Sequence, residues 1–238
     1  MTEVAAVTSG RGEPEMVKLP LLRRAMVRQM VQGAAVPCFY LRLSADVTGL
    51  VDVRRALKDT GDGPVPSVND FIVRAVAMTL REHPEVNSSF EEEGIATYPR
   101  VNVGVAIAVH GGLVVPAVHD TDRLGVHQIA VVVKELAGLA ERRKLTRELL
   151  SDATFTVSNL GMYGIEDFDP IINPPQAAIL AVGAARPDGT GRLMLRLTLG
   201  CDHRVLTGAE GAPFLAGLRD HLQSPQTLLD PPATAYEE

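Results

Sequence analysis

Tryptophan is absent from this chain, and aromatic residues make up only 4% of it. A core must then be built from Val, Leu, Ala and Ile, and few rings remain for stacking on bases. Positive charge is also short. The chain has 23 Lys and Arg against 29 Asp and Glu, a net charge of −6, whereas polyanion binding usually needs a basic surface. No nucleic-acid partner is expected. There are only two cysteines, Cys38 and Cys201, and neither belongs to a Cys-x-x-Cys pair. This excludes a disulfide scaffold and leaves zinc and redox motifs unsupported. The histidines show no metal-ligand spacing, so no metal is expected. No apolar run reaches the roughly 18–20 residues of a membrane span, and the opening MTEVAAVTSGRGEPE lacks a basic start followed by an apolar stretch. The expected setting is cytoplasmic, with no membrane partner.

What is present is ordinary globular composition: 238 residues, 46% apolar and 22% charged. That suits one large α/β domain. Residues 1–16 read as a flexible arm, 17–230 as the folded domain and 231–238 as a flexible tail. Helical spacing runs over 18–32, with Leu22, Met26, Val27 and Met30 on one face. Alternation over 39–47 predicts a half-buried strand, and 48–57 reads as a helix. Gly61, Gly63, Pro64 and Pro66 mark a loop. Ser67 then caps a periodic helix to about His83, with Phe71, Ile72, Ala75, Val76 and Leu80 inward, and Pro84 ends it. VNVGVAIAVH and GLVVPAV predict two strands joined at Gly111-Gly112. A helix is expected over 125–143, with an inward face of Ile129, Val132, Val133, Leu136 and Leu139. TFTVS, PQAAILAVGAA and RLMLRLTLGCD predict further strands, the last two separated by PDGTG, before a helix over 208–223. Mixed helices and strands give a layered α/β domain, its sheet made mostly of long strands covered by helices.

Two residues stand where chemistry is possible. His203, in CDHRVLTG, falls between a strand and a helix, and its ordinary pKa suits proton transfer near neutrality. Taken alone, a histidine in such a place is more often a surface or capping residue. Ser158, in FTVSNLGMYGI, ends a short strand before a glycine-containing turn. A hydroxyl there can donate to a developing oxyanion, or simply satisfy its own turn. No Gly-x-Ser-x-Gly elbow marks it as a nucleophile.

Several segments together change this balance. They are LRRAMVRQM, VPCFYLRLSADV, SVNDFIVRAVA, HPEVNSSF, VNVGVAIAVHGGLVVPAV, FTVSNLGMYGIEDFDPIINPPQAAILAVG and LGCDHRVLTGAEGAPFL. In content and order, over about residues 18–230, they resemble the catalytic domain of the dihydrolipoyl acyltransferases, the core components of 2-oxo acid dehydrogenase complexes. The segments around Ser158 and His203 also resemble chloramphenicol acetyltransferase. The resemblance implies that family's layered α/β fold, a mixed sheet covered by helices. It implies His203 as general base, Ser158 as oxyanion stabiliser, and direct attack on a thioester without an acyl-enzyme. It further implies a homotrimer or larger trimer-based assembly in which His203 and Ser158 come from neighbouring chains. The co-substrate would be acetyl-CoA or an acyl-lipoyl or carrier-protein thioester.

Two departures shape the functional expectation. The family usually has an acid, sometimes Asn, four residues after the histidine; here Thr207 stands there. A carboxylate at that place would tie down a basic partner, with Arg23, Arg24 and Arg28 as candidates. With Thr207 that pairing is lost; Thr207 is counted as a site residue, and its effect is expected to be a site shaped around a bulkier or less charged acceptor. The chain also starts with only a short arm, so a separate lipoyl or acyl carrier protein is an expected partner. The expected reaction is acetyl transfer to the hydroxyl of a small-molecule acceptor, as in tailoring enzymes of tetronate antibiotic biosynthesis. The alternatives are a dihydrolipoamide acyltransferase core and a non-catalytic scaffold.

Overall fold

Ser67 begins the most deeply buried helix of the molecule. Its hydroxyl accepts from the Asp70 N–H, and the Asp70 carboxylate accepts in return from the Ser67 N–H at 2.7 Å. Two orphan donors are thereby satisfied at the helix start. The computed structural model describes residues 14–60 and 64–229. Within them the helices are α1 (Leu21–Ala34), α2 (Thr48–Thr60), α3 (Val68–Glu82), α4 (Val126–Glu141), α5 (Arg147–Ser151) and α6 (Gly208–Gln223). The arm expected at 1–16 lies almost wholly outside the described residues. The tail at 231–238 and both Gly61 and Gly63 of the loop lie outside them too.

One mixed sheet of seven strands forms the centre. Its path is β1 (Cys38–Asp46), β11 (Leu193–Asp202), β9 (Ala178–Val182), β8 (Phe155–Asn159), β4 (Val103–Val105) and β7 (Ala117–Val118), with β10 (Arg186–Pro187) paired to the start of β11. The β9–β8 and β8–β4 pairs are parallel; the others are antiparallel. The expectation of mostly long strands fails. Only β1 and β11, with 9 and 10 residues, are long. The two strands predicted over 101–118 are each broken in the middle. Pro116 has no N–H to offer the ladder, and Ala106 N–H turns to the Val157 carbonyl instead. The inner halves, β4 and β7, stay in the sheet. The outer halves, β5 (Ile107–Val109) and β6 (Gly112–Val114), leave it as a separate hairpin. A second ribbon, β2 (Ser88–Glu91) with β3 (Gly94–Thr97), has no counterpart in the sequence reading.

Side-chain alternation assigns the two faces of β1 and β11. Leu41, Leu199 and Cys201 point at α6, where Gly211 sits against them. Here α3 and α6 pack together, and Phe214 meets Phe155 at 5.6 Å between ring centroids. Tyr40, Arg42 and Arg196 point the other way, at residues 164–173, which cross that face as an extended strap. The Tyr40 hydroxyl donates to the Pro170 carbonyl, Arg42 pairs with Asp169 and Asp167, and Arg196 reaches Asp167 at 3.5 Å. The strap lies backbone against backbone: a Cβ on Gly183 would collide with the Glu166 carbonyl, and one on Gly33 with the Ile172 carbonyl. Covered on both faces, β9 is buried at every residue.

Candidate active site

His203 is the first residue of the turn that leaves β11. A buried carboxylate builds that turn. Asp202 is 1% exposed, and its oxygens accept from the Arg204 backbone N–H at 3.0 Å, from Nε at 2.9 Å and from Nη2 at 2.6 Å. Its carbonyl accepts from the N–H groups of Val205 and Leu206. The Arg204 guanidinium lies over the Phe90 ring at 4.2 Å, which ties the turn to β2. His203 itself donates its backbone N–H to Pro37 and rests its ring on Phe39, with centroids 4.6 Å apart. The imidazole is exposed and makes no hydrogen bond among the described residues. Asp202 and Arg204 stand in the DHR segment, yet sequence reasoning gave them no role. The signal was their spacing of two, which lets an arginine fold back on its own turn.

Ser158 occupies a different environment. It is the penultimate residue of β8, inside a cleft of about 310 Å³ whose walls include Val105, Ile107, Leu113, Val133 and Leu160. The hairpin released at Pro116 supplies Ile107 and Leu113. The Ser158 hydroxyl has no partner among the described residues, so it does not satisfy its own turn. The neighbouring turn is served by Asn159, whose Oδ1 accepts from Gly161 N–H at 2.8 Å. Asn159 Nδ2 donates in turn to Oδ1 of Asn69, on the first turn of α3, at 3.0 Å.

The fold keeps His203 and Ser158 apart. Through Ala181, Ser158 is level with Thr198 of β11, and His203 follows Thr198 by five residues. Strand rise and spacing put the two at roughly 15–20 Å within one chain, and His203 does not line the Ser158 cleft.

Thr207 is the residue before α6. Its hydroxyl and its backbone N–H both donate to the Glu210 carboxylate, at 2.7 and 2.8 Å. These bonds hold the Glu210 carboxyl below the usual carboxylate range, the hydroxyl contributing most. The one hydrogen bond left to the hydroxyl is made within its own helix start, not with the first helix. Arg23, Arg24 and Arg28 lie exposed on α1, and none bonds Thr207. The place is not free of charge either, because Glu210 brings a carboxylate to it.

Neither thiol is primed for attack. Burial pushes Cys201 up to about 12 and also raises Cys38, which pairs across from Asp202. Among the described residues no cluster of His, Cys, Asp and Glu could hold a metal ion, and no helix is long and apolar enough to cross a membrane.

Comparison with known proteins fits this geometry. The chloramphenicol acetyltransferase structure shares the fold alone, at a TM-score of 0.54 and 16% identity, covering 82% of this chain and 94% of that one. A structure described as the cubic core of the pyruvate dehydrogenase multienzyme complex superposes at 0.87 with 32% identity, over 97% of this chain and all of that one. The Azotobacter vinelandii dihydrolipoamide acetyltransferase also superposes at 0.87 with 32% identity, over 94% and 98% of the two chains. That structure belongs to a study of the role of a serine, a histidine and an asparagine in its catalytic mechanism, the asparagine four positions beyond the histidine. Among curated sequences, the dihydrolipoyllysine-residue acetyltransferase component of the Rickettsia bellii pyruvate dehydrogenase complex is 37% identical over 219 residues, covering 87% of this chain and 52% of its own length. The chain thus spans about half the length of such relatives. Residues 11–230 match the model of the 2-oxoacid dehydrogenases acyltransferase (catalytic domain), and the chain belongs to that family.

Proposed function

We propose that this chain transfers an acetyl group between acetyl-CoA and the thiol of a dihydrolipoyl group, at a site shared by two copies. The supporting observation is the separation of an exposed, rigidly held imidazole from an unpartnered hydroxyl in an apolar cleft. Docking the His203 end of one copy on the Ser158 cleft of the next brings base and donor together. Exposed apolar side chains flank both parts: Phe90 and Ile95 near the His203 turn, and Met162, Tyr163 and Ile165 just after Ser158. Such patches favour association, here in a closed trimer or a larger trimer-based assembly.

In the reaction, the His203 imidazole takes the proton of the attacking thiol. The sulfur bonds to the acetyl carbonyl carbon, and the π pair moves to oxygen, where the Ser158 hydroxyl donates a hydrogen bond. Collapse expels the donor sulfur, which recovers the proton from the imidazolium. Every bond is made or broken between the two co-substrates, so no acyl-enzyme forms.

The hydroxyl acceptor expected from the sequence, and with it the antibiotic pathway, loses its support. It leaned on Thr207, whose hydroxyl is spent on Glu210, and the relatives are components of pyruvate dehydrogenase complexes rather than tetronate enzymes. A scaffold has no use for an open hydroxyl in a cleft. The test is transfer from acetyl-CoA to dihydrolipoamide by the wild type. Absence of transfer to this thiol, with transfer to an alcohol, would overturn the proposal.

A further inference from the structure

The orientation of the Asn69 carboxamide is fixed by a chain of hydrogen bonds that starts at the backbone. Gly161 N–H can only donate, so the atom of Asn159 that meets it at 2.8 Å is the oxygen. The other end of Asn159 is then NH2, so the atom of Asn69 that faces it at 3.0 Å is again the oxygen. What Asn69 has left is its own NH2, which has no partner among the described residues. Asn69 lines the same cleft as Ser158. The polar lining residues are Asn69, Ser158, Asn159 and Tyr163. Asn159 is engaged on both sides, and Tyr163 is 66% exposed. Two uncommitted donors therefore remain within apolar walls: the Ser158 hydroxyl and the Asn69 amide.

We propose that Asn69 is a substrate-anchoring residue that donates to an amide carbonyl on the arm of the thiol or thioester co-substrate. This rests on the reaction proposed above. The walls suit an alkyl chain, and a fixed donor suits one carbonyl along it. Both co-substrates carry such a group: the pantetheine arm of CoA has two amides, and the dihydrolipoyl arm ends in one. Asn69 makes no bond to the reacting carbon. Its contact forms equally in the ground and transition states, so it acts on KM and leaves kcat alone.

The experiment uses steady-state transfer between acetyl-CoA and dihydrolipoamide, with binding of each measured separately by calorimetry. Asn69→Ala should raise KM for one co-substrate about five- to tenfold, with kcat changed by less than about twofold. A rise for acetyl-CoA identifies the pantetheine arm, and a rise for dihydrolipoamide the lipoyl arm. Asn69→Asp keeps an oxygen for Asn159 but puts a charged acceptor in place of the donor, so it should lose at least the same affinity for the amide-bearing co-substrate. An alkyl 1,3-dithiol or an S-acetyl alkanethiol, each without an amide, should show no penalty in either variant. Unchanged KM for both co-substrates, or an equal penalty for the amide-free compounds, overturns the anchor while leaving the transfer reaction in place. Amide-dependent binding lost in both variants, in a chain that transfers nothing, supports the anchor and removes the proposed reaction instead.

Discussion

The His203 end of the sheet and the Ser158 cleft are built on opposite principles. At the His203 end one of two long antiparallel strands begins and the other leaves in a turn held by a fully paired carboxylate, and the turn presents an exposed ring. At the Ser158 end short parallel strands and a displaced hairpin make an apolar hollow with few polar atoms. In the proposed reaction the base at His203 tolerates water but needs a fixed heading, and the Asp202 network supplies one. The proposed oxyanion donor at Ser158 would gain strength where water is excluded, and apolar walls supply that. One small chain holds both environments only by keeping them apart.

Removing either half should break this comparison most sharply. His203→Ala is expected to lower turnover by roughly 10²- to 10⁴-fold, with the melting temperature and assembly of the wild type. Unchanged turnover in the folded variant would remove His203 as the base. Ser158→Ala should lower kcat by about 10²-fold with little change in KM. A change confined to KM would show that the cleft binds substrate without serving the oxyanion. Mixing the two inactive variants in equal amounts and reassembling them tests whether the halves belong to different copies. In a closed ring about one quarter of the sites then regain an intact His203 facing an intact Ser158. No recovery, or an active monomer by light scattering, would put the whole site in one chain.

The smallest effects belong to Thr207. Thr207→Val removes one hydroxyl from the start of α6 and should cost about 0.5–1 kcal/mol by thermal melting, with transfer activity nearly intact. The folded pKa of Glu210 is depressed, so its contribution is present above the ordinary glutamate range and lost as pH falls through the folded value. The difference between wild type and Thr207→Val should therefore shrink in acid. Thr207→Asp would set two carboxylates within hydrogen-bonding distance, so it should destabilise the chain more at neutral pH than in acid. A large fall in transfer with Thr207→Val at unchanged stability would restore Thr207 to the chemical site.

Local signals made much of the fold legible. The cap at Ser67 marks where α3 begins, and the 208–223 helix is found with the bounds expected, although the sequence reading gives Thr207 no part in capping it. The first helix starts three residues late, because Pro20 stands before it rather than within it. Non-local signals were not legible. The break in β6 and β7 comes from Pro116, but β4 and β5 break opposite it because of a partner on another strand. The ribbon β2–β3 hides in SSFEEEGIAT, whose acidic run reads as exposed surface. His203 and Ser158 stand out through family resemblance. Asn69 does not, because its orientation depends on a residue 90 positions away.

Most seams between layers of a protein absorb change by trading side-chain volume from one wall to the other. The strap over the sheet has no such reserve. At Gly183 and Gly33 it meets its neighbours main chain to main chain, with nothing between to shorten or enlarge. Substitution at those two points is a matter of presence or absence, not of degree. Divergence in this part of the chain must collect instead at exposed side chains such as Glu166. The thickness of the domain at this seam is set by two missing methyl groups.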